Sequence, residues 1–381
     1  MPGVAVSTTG STRVLALDAV RGIAIICVIA THSLSITVAA TGSYEFPAAI
    51  FRTFDYAQFG VPLFFALSGW LMFSLYTGDR QFTQGVYWSR RIARIWPLWV
   101  LFLIASYLFY TVPESGMPIW LMFLVSVLFL GWISPATVVY PLGGITIQQE
   151  MGHYLLFSFF RRRGTAFLAM TVSIGFLSFF ASEFLLGRVA PDSAAATVIE
   201  AWMRLSLFRT WPFFLLGGAA FVIVRSWRAN GISDILPMRS LAGVSVLIAL
   251  ALGMFVTYAQ DQPSYLVLGF IVVATGLAIA GNTVPVLGPV LRSIGRYSYF
   301  MYFFHFWVLR WIENGYRDSD LPDGNTTSAM YNVGLLLVIF LVTTAVAWLV
   351  GWISWRVLEK PVLDFAHRRV RSPTRSPAPQ G

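Results

Sequence analysis

The chain has 381 residues, 57% of them apolar and only 11% charged, with a formal net charge of +9. A soluble domain carries about 25% charged residues, so this chain cannot cover itself with a water-compatible surface, which excludes an ordinary cytosolic enzyme, a disordered protein and a disulfide-built secreted scaffold. The length fits about ten membrane spans of roughly 20 residues each, and the fold expected is an all-α polytopic membrane domain over residues 14–365, between a cytoplasmic segment at 1–13 and a disordered basic cytoplasmic tail at 366–381.

In chain order, apolar stretches long enough to span run from Val14 to Ala40, Phe59 to Tyr76, Ile92 to Val112 and Ile119 to Val139. Others follow at Thr165 to Leu186, Phe208 to Val224, Leu241 to Tyr258, Tyr265 to Ala280, Ile294 to Ile312 and Tyr331 to Trp355. A weaker candidate, Ile145 to Phe160, is shorter and contains Glu150 and His153. The cationic residues are nearly all arginines, with Lys360 the only lysine, and they cluster between the apolar runs. That is the distribution of a membrane protein whose cytoplasmic loops collect basic residues, not of a nucleic-acid-binding face. The single cysteine, Cys27, excludes an intramolecular disulfide and a cysteine-built zinc site; between Ile26 and Val28 it is expected to be buried.

Charge also orients the chain. Arg80, Arg90, Arg91 and Arg94 mark the second loop as cytoplasmic, so both termini are expected inside and the acidic loop with Asp318, Asp320 and Asp323 outside. If Ile145 to Phe160 crossed fully, the Arg161, Arg162 and Arg163 triplet would fall outside. That stretch is therefore expected to be re-entrant or interfacial, which is tolerated where protein or a watery cavity surrounds it. The amino-terminal apolar run is not expected to be a cleaved signal peptide, since His32 interrupts it.

Chemistry is expected where polar groups occur inside spans, because a charge at the bilayer centre costs about 3 kcal/mol even on the lenient insertion scale. In the first span Asp18 and Arg21 are i and i+3 and can pair. His32 lies eleven residues beyond Arg21, three turns plus about 20°, with a rise of roughly 16 Å. Arg21 and His32 thus share one stripe, whose structural alternative is an interfacial ion pair plus an interhelical hydrogen bond. Arg91 and Arg94 face the same way at the cytoplasmic mouth of the third span, beside Arg90. Guanidinium forks there suit phosphates or carboxylates, and topology alone would also place them there. Glu150 and His153 have E-x-x-H spacing, but only one copy occurs, and di-metal bundles need two; no metal is expected. Instead Glu150 is expected to face Arg21 or Arg94, or to act as a base. Ser298, Tyr302 and His305 form one polar stripe whose alternative is interhelical hydrogen bonding.

These residues resemble the membrane acyltransferase-3 family. The likeness is carried by Leu17-Asp18-Ala19-Val20-Arg21-Gly22 followed by His32, Phe59-Gly60-Val61-Pro62-Leu63-Phe64-Phe65-Ala66-Leu67-Ser68-Gly69, Arg90 to Pro97, Ile294-Gly295-Arg296-Tyr297-Ser298-Tyr299 leading to His305, and Leu358-Glu359-Lys360-Pro361. Together they run in the family's order from Leu17 to Pro361. The resemblance implies transfer of an acyl group, commonly acetyl from acetyl-CoA, to a hydroxyl of a glycan, a lipid-linked saccharide or another envelope or secreted molecule, in the bacterial cytoplasmic membrane. By position it implies His32 and Arg21 as the central pair, Arg91 and Arg94 as the cytoplasmic arginine motif and Glu150 as the intramembrane acid. With the residues read above, the site expected is His32, Arg21 and Glu150 as catalytic, Arg90, Arg91 and Arg94 for acyl-CoA, and Asp18, Ser68, Tyr302 and His305 as accessory residues. The family usually has Trp five residues before the acid and an aromatic three after it, where this chain has Ile145 and His153. A thioester is an activated donor, so the enzyme needs chiefly to deprotonate a hydroxyl and to stabilise an oxyanion. Imidazole is the natural proton acceptor. The alternative is a transporter or flippase using the same buried charges as a pathway.

Overall fold

A computed structural model describes residues 15–76, 83–109, 118–132, 143–160, 287–319, 321–322 and 328–371, with isolated positions between 184 and 221. Among the described residues every regular element is helical. They are α1 (Leu15–Thr41), α2 (Ala48–Tyr56), α3 (Gly60–Tyr76), α4 (Gln84–Phe109), α5 (Ile119–Val127), α6 (Ile145–Phe160), α7 (Leu287–Arg317), α8 (Ala329–Ser354) and α9 (Lys360–Arg371). Four stretches, Leu17–Thr41, Ala48–Leu75, Gln84–Phe109 and Ala329–Ala366, are long and apolar enough to cross a membrane. The spans expected at Leu241 to Tyr258 and Tyr265 to Ala280 lie outside the described residues. So do most of Thr165 to Leu186 and part of Phe208 to Val224, the Arg161 triplet and residues 372–381.

Helix α1 forms because its 27 residues are almost all apolar or small, and at 1.5 Å per residue it is about 40 Å long, more than a bilayer core needs. Its hydroxyl residues do not interrupt it, because Ser33, Ser35, Thr37 and Thr41 turn back on their own helix. Ser33 Oγ donates to the Ile29 carbonyl at 2.7 Å, Thr37 Oγ1 to Ser33 at 2.8 Å and Thr41 Oγ1 to Thr37 at 2.8 Å. The helix stops at Gly42, which adopts a positive φ of 68° while its N–H closes onto Val38, the usual use of glycine past a helix end.

The most extensive packing is between α1 and α7, and glycines set how close the two approach. A Cβ at Gly22 would overlap the Leu291 carbonyl, and one at Gly295 would overlap the Asp18 carbonyl. At this crossing the two backbones touch, as small residues allow in membranes. Around the pair lies a core of large side chains, including Met72, Trp99, Phe102, Phe157, Phe214, Met301 and Phe303. Phe102 stacks on Phe303 with ring centroids 5.1 Å apart, fixing α4 against α7.

Three local findings differ from the expectation. The span expected at Ile119 to Val139 ends as a helix at Val127. There Phe129 takes a left-handed φ of 57°, its N–H bonds the Ser126 carbonyl, and the Leu130 N–H bonds Val125. This is a Schellman stop with phenylalanine where glycine is usual, and the ring is held 5.0 Å from Trp99. The tail expected to begin at 366 is helical through Arg371, because α9 packs on α4. Cys27 is half-buried rather than enclosed. A π turn, Trp355–Glu359, joins α8 to α9, and Pro361 is the second residue of α9. Proline has no N–H and its ring crowds the carbonyl four residues back, so a wider turn relieves the clash.

Candidate functional site

Helices α1, α3, α4, α6 and α7 enclose a cavity of about 60 Å³, room for a few water-sized groups. Its polar lining is Arg21 from α1, Ser68 from α3, Arg91 and Arg94 from α4, Thr146, Glu150 and Tyr154 from α6, and Ser298, Tyr299 and Tyr302 from α7. Three guanidiniums against one carboxylate make this lining cationic, which suits an anionic ligand. The residues are far apart in sequence and meet only because α1 and α7 cross in backbone contact while α6 inserts beside α3.

Glu150 is held by hydroxyls. Ser68 Oγ donates to its Oε1 at 2.6 Å, and the Tyr154 hydroxyl donates to the same oxygen. Tyr154 also lies 3.2 Å from Ser68 Oγ, closing a triangle. The expected partners Arg21 and Arg94 share the cavity lining, but among the described residues neither forms an ion pair with Glu150. Arg21 instead pairs with Asp18 at 3.0 Å, the i, i+3 pair expected from the sequence, with Asp18 buried.

The three arginines of α4 part company. Arg91 is half-buried, with its guanidinium 5.5 Å from the centre of the Tyr87 ring and 5.2 Å from that of Tyr154, a cation–π cage. One of its nitrogens lies 3.6 Å from Met72 Sδ, and its buried Nε has no hydrogen-bond partner. Arg94 also lines the cavity and bears electrostatically on Tyr299 and on Glu359. Arg90 is exposed and does not line the cavity. Thus Glu359 of the closing motif, buried in the π turn, is brought toward α4.

His32 does not line this cavity. Its ring sits 5.5 Å from that of His305 and 4.6 Å from Phe306. His305 is fully buried, and its ring lies 5.9 Å from that of Tyr302, which does line the cavity. The order is therefore cavity, Tyr302, His305, His32. His305 Nδ1 is 3.0 Å from the Met301 carbonyl. A carbonyl only accepts, so Nδ1 carries the hydrogen and the neutral ring keeps its lone pair on Nε2; that atom is buried without a partner. Arg21 and His32 share a stripe as expected, but the rise of roughly 16 Å between them puts them at opposite ends of the site.

His153 is three residues from Glu150 and points elsewhere. Its Nε2 lies 3.0 Å from Thr210 Oγ1, and its ring packs against Phe65, Trp211 and Phe214. The two side chains of the E-x-x-H pair therefore do not share a site. Sequence reasoning missed Thr146 and Tyr154, although with Glu150 they stand at i−4, i and i+4 and define one face of α6. It also missed the aromatic cage around Arg91, of which Tyr87, four residues earlier, was the available signal.

The model of the acyltransferase-3 family, described as an acyltransferase domain, matches residues 14–352. A search of curated proteins finds no match.

Proposed function

Because the chain belongs to the acyltransferase-3 family, we propose that it is an integral-membrane O-acyltransferase. It moves an acyl group, acetyl in the first instance, from cytoplasmic acyl-CoA to a hydroxyl of a glycan or another envelope or secreted acceptor. The observation that carries this reading is the convergence of Arg21, Arg91, Arg94 and Glu150 on one cavity with two imidazoles just beyond its wall.

In this mechanism Arg90 and Arg94 face the phosphates of CoA, since guanidiniums bind them by charge-assisted hydrogen bonds. The thioester end enters the cavity. His32 takes the proton of the acceptor hydroxyl as its oxygen attacks the thioester carbon. The C–S bond then breaks, and the proton passes to the departing CoA sulfur, leaving an ester, free CoA and a regenerated imidazole. Arg91, fixed in its aromatic cage, and Glu150, fixed by two hydroxyls, supply a preorganised charge pattern that needs no rearrangement during the reaction.

The test is release of free CoA from acetyl-CoA by native membranes containing the protein, together with appearance of labelled acetyl in envelope polysaccharide. CoA release that accompanies ester formation supports the reading. Movement of a substrate across the membrane with acetyl-CoA left intact would instead establish a transporter.

A further inference from the structure

The imidazole pair and the arginine-lined cavity are adjacent but separate, and the wall between them is a specific structure. Tyr302 lines the cavity on one side, and its ring lies 5.9 Å from that of His305 on the other. Its hydroxyl is bonded to Thr146 Oγ1, and Thr146 in turn donates to the Gly143 carbonyl at 3.1 Å. That carbonyl also lies 3.3 Å from the Tyr302 hydroxyl. Tyrosine has one hydrogen to give, so a consistent pattern runs from Tyr302 to Thr146 to Gly143. Gly143 has a φ of 74°, and a Cβ there would strike Phe306. The Phe306 ring is 4.2 Å from that of His305 and 4.6 Å from that of His32. The turn that anchors Tyr302 therefore also rests on the residue that packs the imidazoles.

We propose that Tyr302, latched through Thr146 onto Gly143, is the partition between the acyl-CoA chamber and the imidazole pair, and that it sets the size of acyl group that reaches His32. The proposal rests on the acyltransferase reading above. Pockets that enclose whole ligands are about 300–1,000 Å³, whereas this chamber is about 60 Å³. It admits the acyl end of the donor and not the nucleotide. With the T-shaped Phe64 ring 6.0 Å from Tyr302 on the chamber side, a two-carbon acyl group needs only a small swing of the tyrosine to pass, while a long chain needs the ring displaced. Tyr302 and Thr146 act here as specificity-determining residues, since the proton and the bonds made and broken belong to His32, the hydroxyl and the thioester.

The experiment measures CoA release from acetyl-CoA and from octanoyl-CoA by native membranes carrying the full chain, for wild type, Thr146→Val, Tyr302→Phe and Tyr302→Ala. Opening the latch raises the octanoyl-to-acetyl ratio of kcat/KM about tenfold in Thr146→Val and Tyr302→Phe, and further in Tyr302→Ala, which removes the wall. An unchanged ratio overturns the partition, and so does loss of both activities in Thr146→Val. If Tyr302→Ala fails to fold, the other two variants decide. His32→Ala separates the two readings: wild-type CoA release in that variant defeats the imidazole mechanism whatever Tyr302 does. A dead His32→Ala beside an unchanged ratio defeats the partition alone.

Discussion

The two ends of the site surround their polar groups differently. In the chamber, Glu150 takes two hydroxyl hydrogen bonds, Arg21 has its aspartate and Arg91 has its aromatic cage. At the imidazole end, His305 keeps a buried nitrogen without a partner, and the neighbours of His32 are rings. An unmade buried hydrogen bond costs about 1–3 kcal/mol, and each end carries one, at Arg91 Nε inside its aromatic cage and at His305 Nε2 beside the His32 ring. In the proposed reaction the difference separates holding from reacting: the chamber fixes charge through ion pairs, hydroxyls and aromatic rings, and the imidazole end exchanges a proton.

The largest expected effect comes from removing the reacting end. His32→Ala is expected to lower CoA release by roughly 10²–10⁴-fold, the usual worth of a general base, while acetyl-CoA binding measured by calorimetry stays within a few fold. A parallel loss of binding would erase the contrast between the two ends. Next comes the spacer that holds them apart. Gly295→Leu drives a side chain into the Asp18 carbonyl, and overpacking of this kind costs about 1–3 kcal/mol. A clear drop in Tm in detergent is expected, and a wild-type melting curve would mean that α1 and α7 do not cross in backbone contact.

Within the chamber the contrast sharpens to single residues. Arg94→Ala is expected to raise the KM for acetyl-CoA about tenfold, since one hydrogen bond to a charged group is worth roughly 1.5–3 kcal/mol. Arg90→Ala, exposed and screened, is expected to raise it about twofold, with the difference shrinking at high salt. Equal effects would mean that α4 presents both arginines alike to the donor. The smallest change is Tyr154→Phe, which removes one of the two hydroxyls on Glu150. A loss of about 0.5–1.5 kcal/mol, a few fold in turnover with KM unchanged, is expected in steady-state kinetics.

Much of this was legible in the sequence because membrane helices leave long apolar runs. The bounds of α6, from Ile145 to Phe160, and of α8, from Ala329 to Ser354, follow from composition within two residues. The Asp18 and Arg21 pair, and the stripe of Ser298, Tyr302 and His305, follow from helical spacing. The end of α5 did not, because Phe129 occupies a left-handed position that usually carries glycine, and only Trp99 across the core accounts for its place there. Helix α2 was missed because it has only nine residues and buries none of them fully, too short an element to register among apolar runs of spanning length. The separation of Arg21 from His32 was in the numbering all along, as roughly 16 Å of helix. Their division between two compartments was not, because Tyr302 and Thr146 meet across 156 residues of sequence.

The π turn between α8 and α9 works as an angular dial. A π turn holds one residue more than the α turn it replaces, and each residue of an α-helix advances about 100°. Everything beyond Trp355 is therefore turned about 100° from where a straight rod would carry it. That offset aims the Glu359 carboxylate into the protein and not at the lipid tails. Deleting a single residue between Trp355 and Leu358 would reset the dial and swing that carboxylate away from Arg94, with every residue type on both helices left unaltered.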